Sequence, residues 1–248
     1  MRGLRALSLV NLKLLLREPA AFFFTLIFPL GLFLLFAAAF GDGNRPIEGS
    51  RFGAVDAMVP GLGSIIIASV GLIGIPITVA TARERKVLRR LAATPLRPVT
   101  YIVADIAVNL AMTLAGLSLL IVAGLTWYGL RFGGQWPIVL GAVVFSAAAF
   151  FAVGYLIGAV VSTARTAQMV GQVLFFPMMF LSGATIPLDQ MPASITRFSA
   201  LLPLTHVVNL LEGLWLGGPA GDHLPSVALL GGMLVVGALL SARIFRWE

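Results

Sequence analysis

The sequence predicts an all-α membrane protein: six transmembrane helices, an N-terminal interfacial helix before them, and a re-entrant outer segment ahead of the last crossing. Three observations carry this. First, stretches free of Asp, Glu, Lys and Arg occupy residues 19–41, 57–82, 106–130, 132–164, 166–188 and 223–242. A helix rises about 1.5 Å per residue and the hydrocarbon core is about 30 Å thick, so roughly 20 apolar residues suffice for one crossing. Second, the 248 residues are 59% hydrophobic and 11% charged, with a mean hydropathy of +1.00, whereas a soluble domain carries about 25% charged residues. Backbone polar groups cannot stay unpaired in lipid, and these runs are too long and too continuously apolar for barrel strands, which leaves helices.

Third, the loops assign an orientation. With both termini in the cytoplasm, the inner segments hold Arg2, Arg5, Lys13, Arg17, Arg83, Arg85, Lys86, Arg89, Arg90, Arg97, Arg165, Arg243 and Arg246. The outer segments hold only Arg45, Arg51, Arg131 and Arg197. This is the bias of cytoplasmic loops. The net charge of +7 therefore sits beside membrane spans, where anionic headgroups account for it better than nucleic acid does. Cysteine is absent, which excludes disulfides, thiolate metal sites and a Cys nucleophile.

Along residues 1–18, Arg2, Arg5, Lys13 and Arg17 project into about a 120° arc, with Leu4, Leu7, Leu14 and Leu15 roughly opposite. An interfacial amphipathic helix and a plain basic topogenic N-terminus both fit. Arg17-Glu18-Pro19 stops it and turns the chain into the membrane. The apolar run that follows is longer than the about 7 to 15 residues of a signal-peptide core, so it is read as a retained first span. Pro29, Pro76 and Pro177 fall inside spans one, two and five and predict kinks, or are simply tolerated there. Gly154-x-x-x-Gly158 in span four predicts a close helix contact, and Gly71, Gly74, Gly231 and Gly232 offer similar flat faces.

Between spans two and three, Val87, Leu88 and Leu91 alternate with cations until Thr94-Pro95 ends the pattern. A short amphipathic helix over 83–94 results, presented to a partner or held by lipid headgroups. The loop at 131–136 carries Trp136 close to Trp127 and Tyr128, an aromatic belt. After span five, proline and glycine punctuate residues 186–215, and the uncharged run 198–211 is too short to cross; it suits a re-entrant or interfacial element. No internal repeat is evident, which disfavours an inverted-repeat secondary transporter.

Chemistry-bearing groups are sparse. A phosphate-cradling loop needs G-x-x-x-x-G-K-[ST], but Lys13 precedes Leu14 and Lys86 precedes Val87. His206 and His223 have no H-E-x-x-H or cysteine companion and are read as interfacial side chains, with no metal. Asp105 is the one acid within a span, a turn from Asn109 and near the cytoplasmic end. It is either a functional carboxylate or one that reaches interfacial water, Arg90 or Arg97.

These features together resemble the membrane subunits of ABC-2 type exporters, including antibiotic-resistance permeases of the daunorubicin type. The resemblance covers essentially the whole chain, 1–248, as a single transmembrane domain. It rests on the basic helix ending Arg17-Glu18-Pro19, on Arg83-Glu84-Arg85 with Thr94-Pro95, and on Leu181-Ser182-Gly183, Pro187, Met191-Pro192 and Pro203-Leu204-Thr205-His206. Asn209 and Glu212 depart from the family, which often has an acidic residue and an arginine there. The resemblance implies that 1–18 is a connecting helix, 83–94 a coupling helix and 186–215 an outer region that folds back.

It further implies a permease subunit that moves a hydrophobic or amphipathic compound (drug, antibiotic or lipid) out of the cytoplasm, in a bacterial plasma membrane. Its partners would be a separate ABC ATPase subunit, which binds ATP and Mg and does the hydrolysis, and a second permease protomer, identical or not. Glu84, Arg85, Arg89 and Arg90 are the residues expected to couple to the ATPase, with Glu84 linking coupling and connecting helices. Ile73, Phe175, Phe176, Met179 and Phe180, on spans two and five, are expected to line the pathway, since small-molecule sites are mainly apolar. The alternative is a membrane scaffold or a secondary transporter with no ATPase.

Overall fold

A computed structural model describes residues 22–40, 44–46, 50–86 and 98–244. The connecting-helix segment 1–18 and residues 87–94, with Arg89 and Arg90, lie outside the described residues. Each of the six charge-free runs contains helix among the described residues. In chain order the helices are α1 (Phe28–Phe40), α2 (Ala54–Ser69), α3 (Ile75–Glu84), α4 (Pro98–Tyr128), α5 (Trp136–Val160), α6 (Ala164–Leu181), α7 (Ala193–Ser199), α8 (Pro203–Trp215) and α9 (Leu224–Ile244). The β-structure found among the described residues is one isolated bridge, Pro46 to Gly53.

Four stretches are long and apolar enough to cross a bilayer: Ala54–Glu84, Ile102–Tyr128, Trp136–Val160 and Ala220–Ile244. The first predicted span enters the described residues as the apolar helix Phe23–Ala39. The fifth is the 18-residue α6. Span two is the axis of the bundle and is buried on nearly every side. It packs against α4 and α8 through α2, and against α5 and α6 through α3, while α9 lies along α5 with most of its surface open. A helix apolar all round belongs at such a centre.

Two of the predicted proline kinks take a specific form. Ahead of Pro29 the backbone widens into a π-helical stretch, Phe23–Ile27, closed by Phe28 N–H donating to the Phe23 carbonyl. The same happens before Pro76, over Val70–Gly74, closed by Ile75 N–H donating to the Val70 carbonyl. Proline lacks the N–H its helix would need, and a wider turn accommodates the ring and re-partners the backbone.

The widened stretch of span two is also where two other helices come closest. A β-carbon at Gly154 of α5 would collide with the carbonyl oxygen of Gly71, and one at Gly171 of α6 with that of Leu72. A turn further on, a β-carbon at Gly158 would meet Val79 at 2.8 Å. The small-residue face of span four is therefore a packing surface against span two within the same chain, and backbone approaches backbone there.

At the end of the bundle where α2 and α5 begin, the loops are held by Asp56, which sits just before a charge-free run and is not among the residues singled out from sequence. Asp56 is 0% exposed. Its Oδ2 accepts from Gly53 N–H at 2.7 Å, as the return arm of a helix cap. Its Oδ1 accepts from Asn44 Nδ2 at 2.8 Å and from Arg131 N–H at 2.7 Å. The loop at 131–136, read from sequence only as an aromatic belt, is thus also a junction. Gly133 N–H donates to the Trp215 carbonyl at 3.1 Å, joining the loop to α8. Asp56→Ala strands two buried donors and a third that is partly buried, and a loss of about 3 kcal/mol is expected, read as a fall in the thermal unfolding midpoint of the detergent-purified protein.

Residues 186–215 form short helices and turns ahead of α9. A 3-10 turn (Leu188–Gln190) and α7 lead into α8, 13 residues and so about 20 Å long, short of a crossing. Leu204, Val207, Val208, Leu211 and Leu214 form its buried stripe.

Candidate functional site

The resemblance implies a coupling helix over 83–94. The helix of span two instead continues through Arg83 and Glu84, and the chain turns at Arg85–Lys86 with Lys86 in the left-handed region at φ 53°. A charged residue can remain on a span when its head group finds partners at the membrane edge.

Arg83 finds them on α5. Its guanidinium donates to the carbonyls of Val161 at 3.0 Å, Gly158 at 3.1 Å and Ala159 at 3.1 Å. These belong to the last turn of α5 and the residue just past it, where helical carbonyls have no partner along the chain and the helix dipole is negative. Glu84, the next residue, accepts from the N–H of Ala164 at 3.1 Å. Ala164 is the first residue of α6, whose N-terminus is also capped by Thr163 Oγ1 accepting from Thr166 N–H at 3.1 Å. A helix start carries free N–H groups and positive potential. Adjacent residues of opposite charge therefore grip the end of span four and the start of span five, about 80 positions away in sequence.

These contacts form a joint: one forked cation and one carboxylate tie the end of span two to the residues flanking the short connection 161–163, and a guanidinium making several charge-assisted hydrogen bonds at once fixes angle as well as distance. Of the four predicted coupling residues, Glu84 is in the joint and Arg85 is exposed beside it. The expected link from Glu84 to the connecting helix lies outside the described residues. Arg83 was missed as a site residue. Its signal was present in the sequence, the first cation after an uncharged span, but its partners are carbonyls, which no side-chain motif reveals.

Above the joint, Asp105 does not reach out to interfacial water. It is buried, with Oδ2 accepting from Tyr155 Oη of α5 at 2.6 Å and from Asn109 Nδ2 at 3.3 Å. Asn109 Nδ2 also donates to the Asp105 carbonyl at 2.9 Å, and Thr113 Oγ1 to the Asn109 carbonyl at 2.9 Å. A buried polar column on α4 is thus tied to α5 by a phenol. Tyr155→Phe removes that donor and keeps the ring, with an expected loss of about 1 to 2 kcal/mol, measured by thermal unfolding beside the parent chain.

The five predicted pathway residues separate. Ile73, Phe175 and Met179 are buried inside the chain. Phe175 joins Phe24 and Phe176 in an edge-to-face cluster with ring centres 5.5 to 6.0 Å apart. Phe176 is half-buried and Phe180 is 51% exposed. They continue an open stripe on α6 that includes Met169 and Val173.

Between α8 and the start of α9, His206, Asn209, Glu212, Asp222 and His223 are among the residues that line a wide recess. His206 Nε2–H donates to the Ala200 carbonyl at 3.0 Å, which leaves Nδ1 to accept from Ser226 Oγ at 3.2 Å. Burial, with the Asp189 carboxylate adding to it, raises the Glu212 pKa above the ordinary carboxylate value. Among the described residues no cluster of three or more His, Cys, Asp or Glu could hold a metal ion.

Comparison with known proteins agrees with this architecture. Residues 2–215 match the ABC-2 type transporter family. The chain is 24% identical over 208 residues to the inner membrane transport permease YhhJ of Escherichia coli (strain K12), covering 83% of this chain and 54% of that protein. It is 29% identical over 137 residues to nodulation protein J of Rhizobium leguminosarum bv. viciae, 54% of this chain and 51% of that one. A third relative, the probable multidrug ABC transporter permease YbhR of Escherichia coli (strain K12), is 23% identical over 160 residues, 64% and 42% of the two chains. The chain spans about half the length of the curated relatives it matches. With the family pattern running from residue 2 to residue 215 across an all-helical membrane bundle, the chain belongs to the ABC-2 type transporter family.

Proposed function

We propose that the chain is the permease subunit of an ATP-driven exporter, moving a hydrophobic or amphipathic compound out of the cytoplasm across a bacterial inner membrane, with both termini inside. ATP and Mg are bound and used by a separate ABC ATPase subunit, and two permease protomers, identical or not, enclose the path. The observation that carries the reading is the joint at Arg83–Glu84, within a chain of this family. It lies at the end of span two, next in sequence to the basic residues of 85–97, and it grips two further spans at what the reading takes as their cytoplasmic ends. Closure of the ATPase would move that segment, and the joint would hand the displacement to spans four and five. Rocking of helices between inward- and outward-facing states follows, driven by the differential affinity of nucleotide for the two.

In this reading cargo contact falls to Phe180 and Phe176, with Met169 and Val173 below them on the open stripe of α6. An apolar, adaptable surface of this kind suits varied lipophilic shapes. The name of one relative, a probable multidrug permease, supports that cargo class. Replacing Phe176 and Phe180 together by alanine should lower transport of lipophilic substrates several-fold while ATPase assembly is unchanged; undiminished transport of every substrate would remove them from the path.

The reading is tested by co-expressing the chain with a genomically adjacent ABC ATPase and reconstituting the complex in proteoliposomes. Export is expected only with ATP and the ATPase present. Translocation by the permease alone, or driven by an imposed ion gradient, would overturn it. Glu84→Ala should leave the complex assembled and reduce transport-coupled ATP hydrolysis.

A further inference from the structure

Span two changes neighbours halfway along. Its first part, α2, packs chiefly on α1, α4 and α8, and its last part, α3, packs on α5 and α6. The change falls at the wide turn Val70–Gly74 that joins the two parts. Spans one and three therefore go with the first part. Spans four and five go with the last, to which Arg83 and Glu84 also fasten them.

Between these two groups the contacts differ from those inside them. Phe24 of span one meets Phe175 and Phe176 of span five edge to face, and Tyr155 Oη of span four donates to Asp105 of span three. Side chains can break and re-form such contacts. Inside the second group, by contrast, Gly154 and Gly171 lie against the backbone of span two itself. The groups are fastened at one end only. There Asp56 holds the N–H of Arg131, in the loop that joins spans three and four, and the last turn of α8 meets the same loop. The free end is the one that carries the Arg83–Glu84 joint.

The residues of the wide turn and its flanks favour bending. Gly71 and Gly74 lie within it, and Ile75 N–H donates five residues back, to the Val70 carbonyl. Pro76 has no N–H. The carbonyls that an N–H at position 76 would reach, Leu72 four back and Gly71 five back, are the two that face Gly171 and Gly154, and contacts from a glycine Cα–H are weaker than a backbone N–H bond. On either side a hydroxyl bonds back into the helix: Ser69 Oγ donates to the Ile66 carbonyl at 2.9 Å and Thr78 Oγ1 to the Gly74 carbonyl at 3.0 Å. That arrangement bends helices, and π-helical turns recur where a helix must work.

We propose that Val70–Gly74 is a pivot about which the last half of span two, with spans four and five, swings as one body against spans one and three, opening the bundle at the joint end. That nucleotide drives the swing rests on the exporter reading; the pivot itself rests on packing.

The test is pulsed electron spin resonance on the full chain in nanodiscs, with spin labels on pairs of introduced cysteines at exposed positions. Positions 103 and 239 report between the bodies; 35 with 103, and 174 with 239, report within them. Without nucleotide, the distance distribution between bodies is expected to be about twice as wide as either within them. Pro76→Ala supplies the missing N–H and should narrow it to the within-body width; Thr78→Val, which removes a back-bond at similar volume, should narrow it part of the way. A between-body distribution no wider than the others, or one that neither variant narrows, would overturn the pivot. In the complex with its ATPase, trapping ATP should shift the between-body distance by about 5 Å or more and the others by less than about 2 Å. Equal shifts in all three pairs would overturn the pivot too. If the widths behave as stated and nucleotide shifts nothing, the pivot stands and the exporter reading fails.

Discussion

Arg83→Ala is expected to cut ATP-driven transport by roughly tenfold or more while leaving nucleotide hydrolysis by the partner near its basal rate. The side chain makes three hydrogen bonds to the carbonyls of Gly158, Ala159 and Val161. A single charge-assisted bond of this kind is stronger than a neutral one, and a tenfold change corresponds to only about 1.4 kcal/mol. Removing the cation frees those carbonyls to water at the membrane edge, so the bundle should still fold; what is lost is the fixed geometry between span two and span four. Arg83→Lys separates charge from geometry. Lysine keeps the favourable charge at the helix end but is a point donor on a flexible stem, so partial recovery of transport, not full recovery, is expected. If Arg83→Ala transports at the parent rate, the joint carries no force. If it lowers transport and thermal stability in proportion, Arg83 is only a structural cap.

The largest effect on folding is expected at the two glycines that meet the widened part of span two. Valine at Gly154 or Gly171 would place its β-carbon on the carbonyl oxygen of Gly71 or Leu72. Both obstacles are backbone, which cannot swing aside as a side chain can, so the helices must separate along the most buried seam of the bundle. Overpacking of a core costs about 1 to 3 kcal/mol and more where backbone must move; about 3 kcal/mol or more is expected for each, seen as loss of the monodisperse folded species. Gly141→Ala and Gly232→Ala are the controls. Nothing lies within 4 Å of a β-carbon at either, and replacing a mid-helix glycine by alanine favours the helix by about 0.5 to 1 kcal/mol. A Gly154→Val protein as stable as Gly141→Ala would mean that the two helices do not meet as described.

How much of this could be read from the residues follows from the range of the interactions. The spans and the glycine face of span four depend on composition and local spacing, and the helices observed over Ala54–Glu84 and Trp136–Val160 run close to the charge-free runs. The end of span two is where that approach misled. A boundary drawn at the first charge places Arg83 on a surface helix, because the carbonyls that hold it come from 75 to 78 positions further along. Asp56 escaped notice for a similar reason: its local role as a helix cap is legible from Gly53, but its bond to Arg131 N–H is not. Pathway residues chosen for chemistry alone included Ile73 and Phe175, which are packing residues of the bundle centre. An apolar side chain on a span suits lipid, cargo or core equally well, and only its neighbours decide.

The most direct measurement of the mechanism uses the absence of native cysteine. Cysteines at positions 84 and 164, in an otherwise unaltered chain reconstituted with its ATPase, can be bridged by a short bifunctional thiol reagent. If displacement passes through a rigid joint between span two and the start of span five, bridging should keep ATP-driven transport within about twofold of the unaltered parent chain and restore what the unbridged Glu84→Cys, Ala164→Cys protein loses. Arrest of transport on bridging, with ATP hydrolysis continuing, would show that the contact must open in each cycle and would contradict a force path through it.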